Sequence, residues 1–273
     1  MINAAVIQLV SGQDTAANMA RVEYWLRKAA AAGANWVVLP ETFYCFGRKD
    51  QRVLAQQFLQ AGGPVRSQLA NLARELNISL FAGSLPLAEG CQQADKVRAS
   101  CLVYSEQGRE IARYDKIHLF DVDVGDAHGR YRESDTYEAG EQPVTVQIGD
   151  KTVGLSICYD LRFAELYRTL SASGAQAVIV PSAFTYTTGE AHWHVLLRAR
   201  AIENQMFVLA PNQGGQHDAN RRTYGHSMII DPWGKVLAEV QDEGEGMAMA
   251  VLDFAYLEDV RRKMPVAAHR KLP

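Results

Sequence analysis

Cysteine is scarce in this chain of 273 residues, and the four present, Cys45, Cys91, Cys101 and Cys158, form no Cys-x-x-Cys pair. That spacing supports neither a structural zinc site nor a redox pair. So few thiols in so long a chain do not make a disulfide framework either. No apolar run approaches the ~20 residues that a membrane-spanning helix needs. The start, Met1-Ile2-Asn3-Ala4-Ala5-Val6-Ile7-Gln8, lacks the basic region and long apolar stretch of a secretion signal. The expectation is a cytoplasmic protein that meets no membrane. A surplus of charge is also missing, since 28 Lys and Arg oppose 31 Asp and Glu for a net charge of -3. Nucleic acid is therefore not an expected partner. The densest basic cluster, Arg261-Arg262-Lys263, reads as a solvated helix face. Repeats and low-complexity stretches are absent as well. The chain reads as a single domain over 1–273, with an extended C-terminal arm at 265–273 because Pro265 ends the last helix.

What is present is an ordinary globular composition, 48% hydrophobic and 22% charged, enough to bury a large core. Strands are expected at Ala4–Val10, Trp36–Leu39, Ile78–Ala82, Ala177–Val180, Phe207–Ala210 and Met249–Leu252. Hairpins are expected where Val97–Tyr104 meets Glu110–Tyr114, Val144–Ile148 meets Val153–Ile157, and Ser227–Ile230 meets Val236–Val240. Helices are expected at Thr15–Ala32, Val65–Leu76, Arg162–Ala172, Ala191–Asn204 and Ala255–Lys263. Strands joined by both helices and hairpins imply a mixed α/β arrangement. Two facing sheets with helices outside would fit, and so would one doubly wound sheet; periodicity does not choose between them.

The sharpest local feature is Val153-Gly154-Leu155-Ser156-Ile157-Cys158-Tyr159-Asp160-Leu161-Arg162-Phe163. An apolar strand runs straight into a cysteine, a polar turn follows, and a helix begins. A helix N-terminus near the sulfur would lower the thiol pKa and favour the thiolate, and its backbone N–H groups could receive an oxyanion. The alternative is a buried, inert cysteine at a strand end. A nucleophilic thiol needs a base and a charge partner. The histidines are His118, His128, His192, His194, His217, His226 and His269, read as structural or surface groups. His192 and His194 flank Trp193 and point to different helix faces, which suits neither a shared metal nor a paired catalytic role. The other candidates are Glu41, just after Val37-Val38-Leu39-Pro40, and Lys116, just after Tyr114-Asp115. Charges in such apolar surroundings are costly unless paired, and either residue could instead belong to a plain ion pair or a solvated loop. Each of the three follows a strand, and the carboxyl ends of strands are where α/β sites collect.

Three blocks in order carry a resemblance. Pro40-Glu41-Thr42, Tyr114-Asp115-Lys116-Ile117-His118-Leu119-Phe120-Asp121 and Ser156-Ile157-Cys158-Tyr159-Asp160-Leu161-Arg162-Phe163 resemble the motifs of the nitrilase, or carbon–nitrogen hydrolase, superfamily. The likeness continues through Pro181-Ser182-Ala183-Phe184, Ala191-His192-Trp193 and Arg198-Ala199-Arg200-Ala201-Ile202-Glu203-Asn204 to Gly225-His226-Ser227. Within the superfamily the chain most resembles the deaminated glutathione amidases, with the omega-amidases next. Asp123-Val124-Gly125-Asp126-Ala127-His128-Gly129-Arg130-Tyr131 lacks the Pro-Gly found there in many relatives.

The resemblance implies a four-layer α-β-β-α sandwich and a cysteine amidase that needs no cofactor and no metal. Glu41 would be the base, Lys116 the cation, Cys158 the nucleophile and Glu133 a further glutamate beside the site. Lys116 and the Tyr159 N–H would hold the oxyanion. Arg162, four residues after the nucleophile, could hold a substrate carboxylate or pair with Asp160. Arg132 and Arg130, in the variable loop, suit an anionic substrate or a solvated loop, and Phe184 would line the substrate site. The expected substrate is a small carboxylate-bearing amide, with deaminated glutathione first and α-keto acid monoamides as the alternative. The resemblance also implies a homodimer or higher even oligomer, for which Phe163–Leu170 offers apolar groups on more than one helical face.

Overall fold

The computed structural model describes residues 1–58, 63–126 and 129–271. Its layering follows from the period of two along a strand. In the strand Ile2–Gln8, Ala4 and Val6 enter one buried core while Ala5 and Ile7 enter another. The same division recurs at Trp36 and Val38 against Val37, and at Cys101 and Val103 against Leu102 and Tyr104. A strand apolar on both faces gives a continuous hydrophobic run, which hides the alternation in the sequence.

Those strands belong to a sheet ordered Gly246–Leu252, Ile2–Gln8, Trp36–Val38, Ser79–Leu87, Arg98–Tyr104 and Glu110–Asp115. One of its faces carries the helices Thr15–Ala31 and Pro64–Leu76, through Val22, Leu26, Leu69 and Leu72. Its other face meets a second sheet, ordered Val236–Glu239, Met228–Ile230, Phe207–Ala210, Ala177–Ile179, Lys151–Leu155 and Val144–Ile148. The helices Ala164–Ala172 and Tyr186–Asn204 cover that second sheet through Leu166, Tyr167, Leu170, Trp193 and Leu197. The result is the expected α-β-β-α sandwich rather than one doubly wound sheet. Among the described residues no helix is long and apolar enough to cross a membrane.

Several local expectations change. The helix after the cysteine starts only at Ala164, because Cys158–Arg162 winds as a tighter 3-10 turn. The next helix begins at Tyr186 rather than Ala191, under a Thr185 cap. The outward residues of Ala164–Ala172 are Glu165, Arg168, Thr169 and the terminal Ala172, so its second face is mainly polar and carries no large apolar group. The exposed apolar groups of this side are Val195, Ile202 and Trp233 instead. Arg261 is not solvated, since it donates to the carbonyls of Gln205 and Ala175. After Pro265 the arm forms a helical turn, Val266–His269, rather than extended chain, and residues 272 and 273 lie outside the described residues.

Two short ribbons stand apart from the sheets, Asp121–Asp123 with Arg130–Arg132, and Gly214–Gln216 with Arg222–Tyr224. The sequence reading found neither. Two glycines fix how the strand ends approach each other. A Cβ on Gly83 would stand 1.9 Å from the Pro40 carbonyl oxygen, and one on Gly140 would stand 2.1 Å from that of Asp115. Pro40 precedes Glu41 and Asp115 precedes Lys116.

Candidate active site

Cys158 occupies the first position after the strand Lys151–Leu155 and its two-residue extension, in a left-handed backbone conformation with φ 49°. A side chain with a Cβ is strained there and stays only where its surroundings impose it. Here the Cys158 N–H donates to the Pro181 carbonyl at 2.9 Å. Asp160, fully buried, ties down the rest of the turn. Its carboxylate accepts from the Ile157 N–H at 2.9 Å, the Tyr114 hydroxyl at 2.6 Å and the His118 N–H at 3.0 Å, and it meets His118 Nδ1 at 2.7 Å. The second sheet thus presents the sulfur, and the first sheet presents the groups that face it.

Glu41 follows Trp36–Val38 and Lys116 follows Glu110–Asp115. Lys116 Nζ donates to Glu41 Oε1 at 2.8 Å and to both oxygens of Glu133, at 2.9 and 2.8 Å. Glu133 lies in the 3-10 turn Glu133–Asp135 and also accepts from the Phe120 N–H at 2.7 Å. The Lys116 side chain is 2% exposed. Burial alone would favour loss of its proton, but the carboxylates of Glu133 and Glu41 outweigh that and hold its pKa well above the ordinary lysine value. Burial raises the Glu133 pKa, with Lys116 opposing.

The thiol corrects an expectation. Burial, and after it the neighbouring Glu41 charge, push the Cys158 pKa well above its ordinary value, and Lys116 compensates only in part. The resting sulfur therefore carries its proton, contrary to the helix-terminus argument. The Glu41 carboxylate is close enough to act on the thiol, so a proton acceptor stands beside the sulfur.

The cluster lies at a cavity of about 590 Å³ that is also lined by Tyr159, Arg162, Phe184, Arg132 and Arg130. Arg162 does not pair with Asp160. Its guanidinium lies over the rings of Tyr159 and Phe184, at 5.8 and 5.4 Å, and donates to His192 Nδ1 at 3.3 Å. Arg132 lines the cavity while paired with Asp123 at 3.1 Å.

A family model described as carbon-nitrogen hydrolase matches residues 3–262. The chain belongs to the carbon–nitrogen hydrolase family. A deaminated glutathione amidase from Yersinia enterocolitica is 41% identical over 270 residues, covering 98% of this chain and 93% of that protein. The crystal structure of the C. elegans NitFhit protein superposes with a TM-score of 0.90 at 37% identity, over 99% of this chain and 65% of that longer chain. Saccharomyces cerevisiae Nit3, described as a member of branch 10 of the nitrilase superfamily, superposes with a TM-score of 0.88 at 33% identity, over 99% of this chain and 97% of its own.

In this carbon–nitrogen hydrolase the histidines lie away from the sulfur's hydrogen bonds. His118 stacks on Phe163 at 3.7 Å and serves the Asp160 turn. His217 is packed against Phe46, and His269 is exposed on the terminal helical turn. His128 lies outside the described residues. His194 is brought together with His226 rather than with His192; both rings meet Glu239 Oε1, at 2.9 and 2.8 Å. Those three offer ligand atoms within 4.8 Å of one another, a grouping that the His192–His194 spacing did not reveal. Of the remaining thiols, Cys45 lines the cavity, while Cys101 is buried in the core and Cys91 is half-buried. Sequence reasoning missed Asp160, whose role needs Tyr114 and His118 from a distant segment as well as the Ile157 N–H, and Gln213, which donates to the Glu41 carbonyl at 3.0 Å. The only sequence signal for Asp160 was a carboxylate two residues after the nucleophile.

Proposed function

We propose that this protein is a cysteine amidase that hydrolyses the amide of deaminated glutathione. The observation that carries the reading is that Cys158, Glu41 and Lys116 line one cavity, with Lys116 bound to Glu41 at 2.8 Å. The named relative from Yersinia and Arg162, which lines the cavity without a carboxylate partner among the described residues, support the substrate.

The chemistry follows from those positions. Glu41 takes the thiol proton as Cys158 Sγ bonds to the amide carbon. The carbonyl π electrons move to oxygen, which the Lys116 ammonium and the Tyr159 N–H hold. Tyr159 lies in the first turn of the 3-10 segment, where N–H groups lack intrahelical acceptors. Collapse of the tetrahedral adduct breaks the carbon–nitrogen bond, and Glu41 returns its proton to the departing amine. Water then gives a proton to Glu41 and attacks the thioester. The sulfur leaves as thiolate and recovers the proton, releasing the carboxylic acid. Glu133 keeps Lys116 in place throughout and Arg162 holds the carboxylate of the acyl part, with Phe184 beneath it; Arg132 stays with Asp123.

The test is turnover of deaminated glutathione, α-ketoglutaramate and a matching nitrile. Cleavage of deaminated glutathione, lost in Cys158→Ala, is the expected result. Exclusive use of α-ketoglutaramate would make the protein an omega-amidase instead. Undiminished hydrolysis by Cys158→Ala would remove the nucleophile assignment altogether.

Two further expectations belong to the same reading. The protein works in the cytoplasm, where four unpaired cysteines are ordinary. It also assembles as a homodimer or higher even oligomer, for which the exposed Val195, Ile202 and Trp233 offer an apolar face. A sedimentation experiment showing a fully active monomer would sink that expectation.

A further inference from the structure

The cavity holds more cations than its three paired or catalytic groups use, and they fall into distinct kinds. Arg48 pairs with Asp50 and Arg132 with Asp123. Lys49 and Arg130 are exposed, so water serves them. Arg162 and Arg221 are half-buried and have no carboxylate partner among the described residues. A partly desolvated charge without a counter-charge is costly, and in a substrate cavity the missing counter-charge can arrive with the ligand.

We propose that Arg221 is a second carboxylate-binding residue of this cavity, and that with Arg162 it selects an amide bearing a carboxylate on each side of the bond to be cut. The inference rests on the amidase reading above and names what that site recognises.

Arg221 is held ready for the task. Its guanidinium lies over the rings of Phe46 and Tyr131, at 4.6 and 5.5 Å. Phe46 is itself stacked on His217 at 3.8 Å, and the His217 ring is fixed between the Ser11 carbonyl and the Thr223 hydroxyl, each at 2.7 Å. Burial, with Arg221 nearby, depresses the His217 pKa to about 4, so that ring is neutral and adds no competing charge of its own. Asp218 lies in the same turn but does not take the guanidinium. Its Oδ1 accepts from the backbone N–H groups of Asn220 and Arg221, at 2.8 and 2.9 Å, which tightens the turn. The planar fork of Arg221 is therefore oriented by aromatic faces with its donors unspent, the arrangement suited to bidentate capture of a carboxylate.

The two arginines occupy different parts of the wall. Arg162 belongs to the turn that carries the sulfur and shares the ring of Tyr159. Arg221 comes from the separate Gly214–Gln216 and Arg222–Tyr224 ribbon and shares no ring with Arg162. Arg162 thus suits the acyl part, which becomes bonded to the sulfur, and Arg221 suits the leaving amine. Deaminated glutathione has that form, with an α-keto acid carboxylate at one end and the glycine carboxylate at the other. α-Ketoglutaramate has the first carboxylate and lacks the second, because its leaving group is ammonia.

The experiment compares kcat/KM for deaminated glutathione and α-ketoglutaramate in wild type, Arg221→Met and Arg221→Lys. For Arg221→Met the ratio of the two should fall at least ~10-fold, the loss of one charge-assisted contact, mostly through KM, with Arg221→Lys between. Equal losses on both substrates, or no loss, would overturn the proposal. A separate readout is inhibition by the dipeptide cysteinylglycine against its carboxamide: wild type should prefer the free acid and Arg221→Met should not. A wild type that discriminates between the dipeptides yet leaves deaminated glutathione uncut would overturn the substrate reading and keep the Arg221 site. One that binds both dipeptides alike would overturn the Arg221 site whatever it cleaves.

Discussion

Two ionic clusters meet at the end of one strand, and neighbouring residues divide between them. Asp115 belongs to a chain of ion pairs in which Arg66 holds Glu110 and Glu89, Arg113 holds Glu89 and Asp115, and Arg98 holds Asp115 and Glu138. Lys116, the next residue, belongs to the site with Glu41 and Glu133. In the chain of ion pairs every cation bridges two carboxylates and every carboxylate is partly open to water. In the site a single ammonium, 2% exposed, serves Glu41 and Glu133, whose side chains are 7% and 16% exposed, while the Cys158 thiol lies beside Glu41. The first arrangement sets three arginines against four carboxylates that all reach water, so its surplus charge is solvated, and it holds segments together. The second retains surplus negative charge beside a protonated sulfur, and that imbalance is what a proton-accepting carboxylate needs. Seclusion of the Lys116–Glu41 pair from water, more than the presence or balance of charge, separates scaffold from chemistry here.

The largest expected effects break the site. Glu41→Gln and Lys116→Met should each lower kcat at least ~10²-fold, as for single acid–base or oxyanion groups. The two should differ in stability. Glu41→Gln removes surplus charge and should leave the melting temperature nearly unchanged, while Lys116→Met strands the buried Glu41 and the partly buried Glu133 and should lower it clearly. Similar melting temperatures for both would deny that Lys116 is what balances the pair.

Next in size is damage to the ion-pair chain. Arg66 is 4% exposed, and Arg66→Met should cost about 2 kcal/mol in chemical denaturation, discounted because its partners can resolvate. Its kcat should stay at the wild-type value. A loss of kcat at full stability would erase the division drawn above.

A smaller effect sharpens the comparison by running against activity. The Glu41 charge raises the Cys158 pKa, so Glu41→Gln should release it downward and leave the sulfur facing a Lys116 balanced only by Glu133. Alkylation of Cys158 by iodoacetamide near neutral pH should then run several-fold faster in a variant that has lost turnover, since thiolate fraction rises about tenfold for each unit of pKa. Slower alkylation would mean that Glu41 acts on the thiol in some other way.

The smallest effects are in pH dependence. The folded Cys158 pKa is raised, so its contribution to stability is complete below the ordinary thiol pKa and is lost as pH rises through the folded value. Cys158→Ala should flatten the alkaline decline of the melting temperature. Glu138 is the opposite case: hydrogen bonds from the Gln93 N–H and Arg98 hold its pKa at about 2. Its contribution is present above the ordinary carboxylate pKa and is lost as pH falls below it towards about 2. Arg98→Met should therefore change the acid limb and leave the alkaline limb alone.

Much of this was legible in the sequence where an apolar strand stops and a functional residue follows at once. Val37-Val38-Leu39-Pro40 before Glu41 and Leu155-Ser156-Ile157 before Cys158 are such endings. Family resemblance then supplied Glu133, which no local pattern marks. The choice between two sheets and one was hidden, because Ala4-Ala5-Val6-Ile7 is apolar on both faces. The direction of the thiol shift was hidden too, since it depends on burial and on a carboxylate 117 positions away, from Glu41 to Cys158. Arg221 had no local signal at all. It sits in Asn220-Arg221-Arg222, which reads as polar loop; both arginines lie over aromatic rings, and burial and the lack of a carboxylate partner among the described residues distinguish Arg221 from its neighbour. Arg222 faces outward and pairs with Glu243.

Because Glu41 and Lys116 come from one sheet and Cys158 from the other, the hydrophobic layer between them works as a shim of fixed thickness. Side chains such as Val103 and Leu155 touch no substrate, yet their volumes set the gap that a proton must cross. Close-packed interiors transmit small volume changes rather than absorbing them. Wear in this layer would therefore be felt as detuning before it was felt as unfolding, and the turnover rate becomes a gauge of how tightly the two halves are clamped.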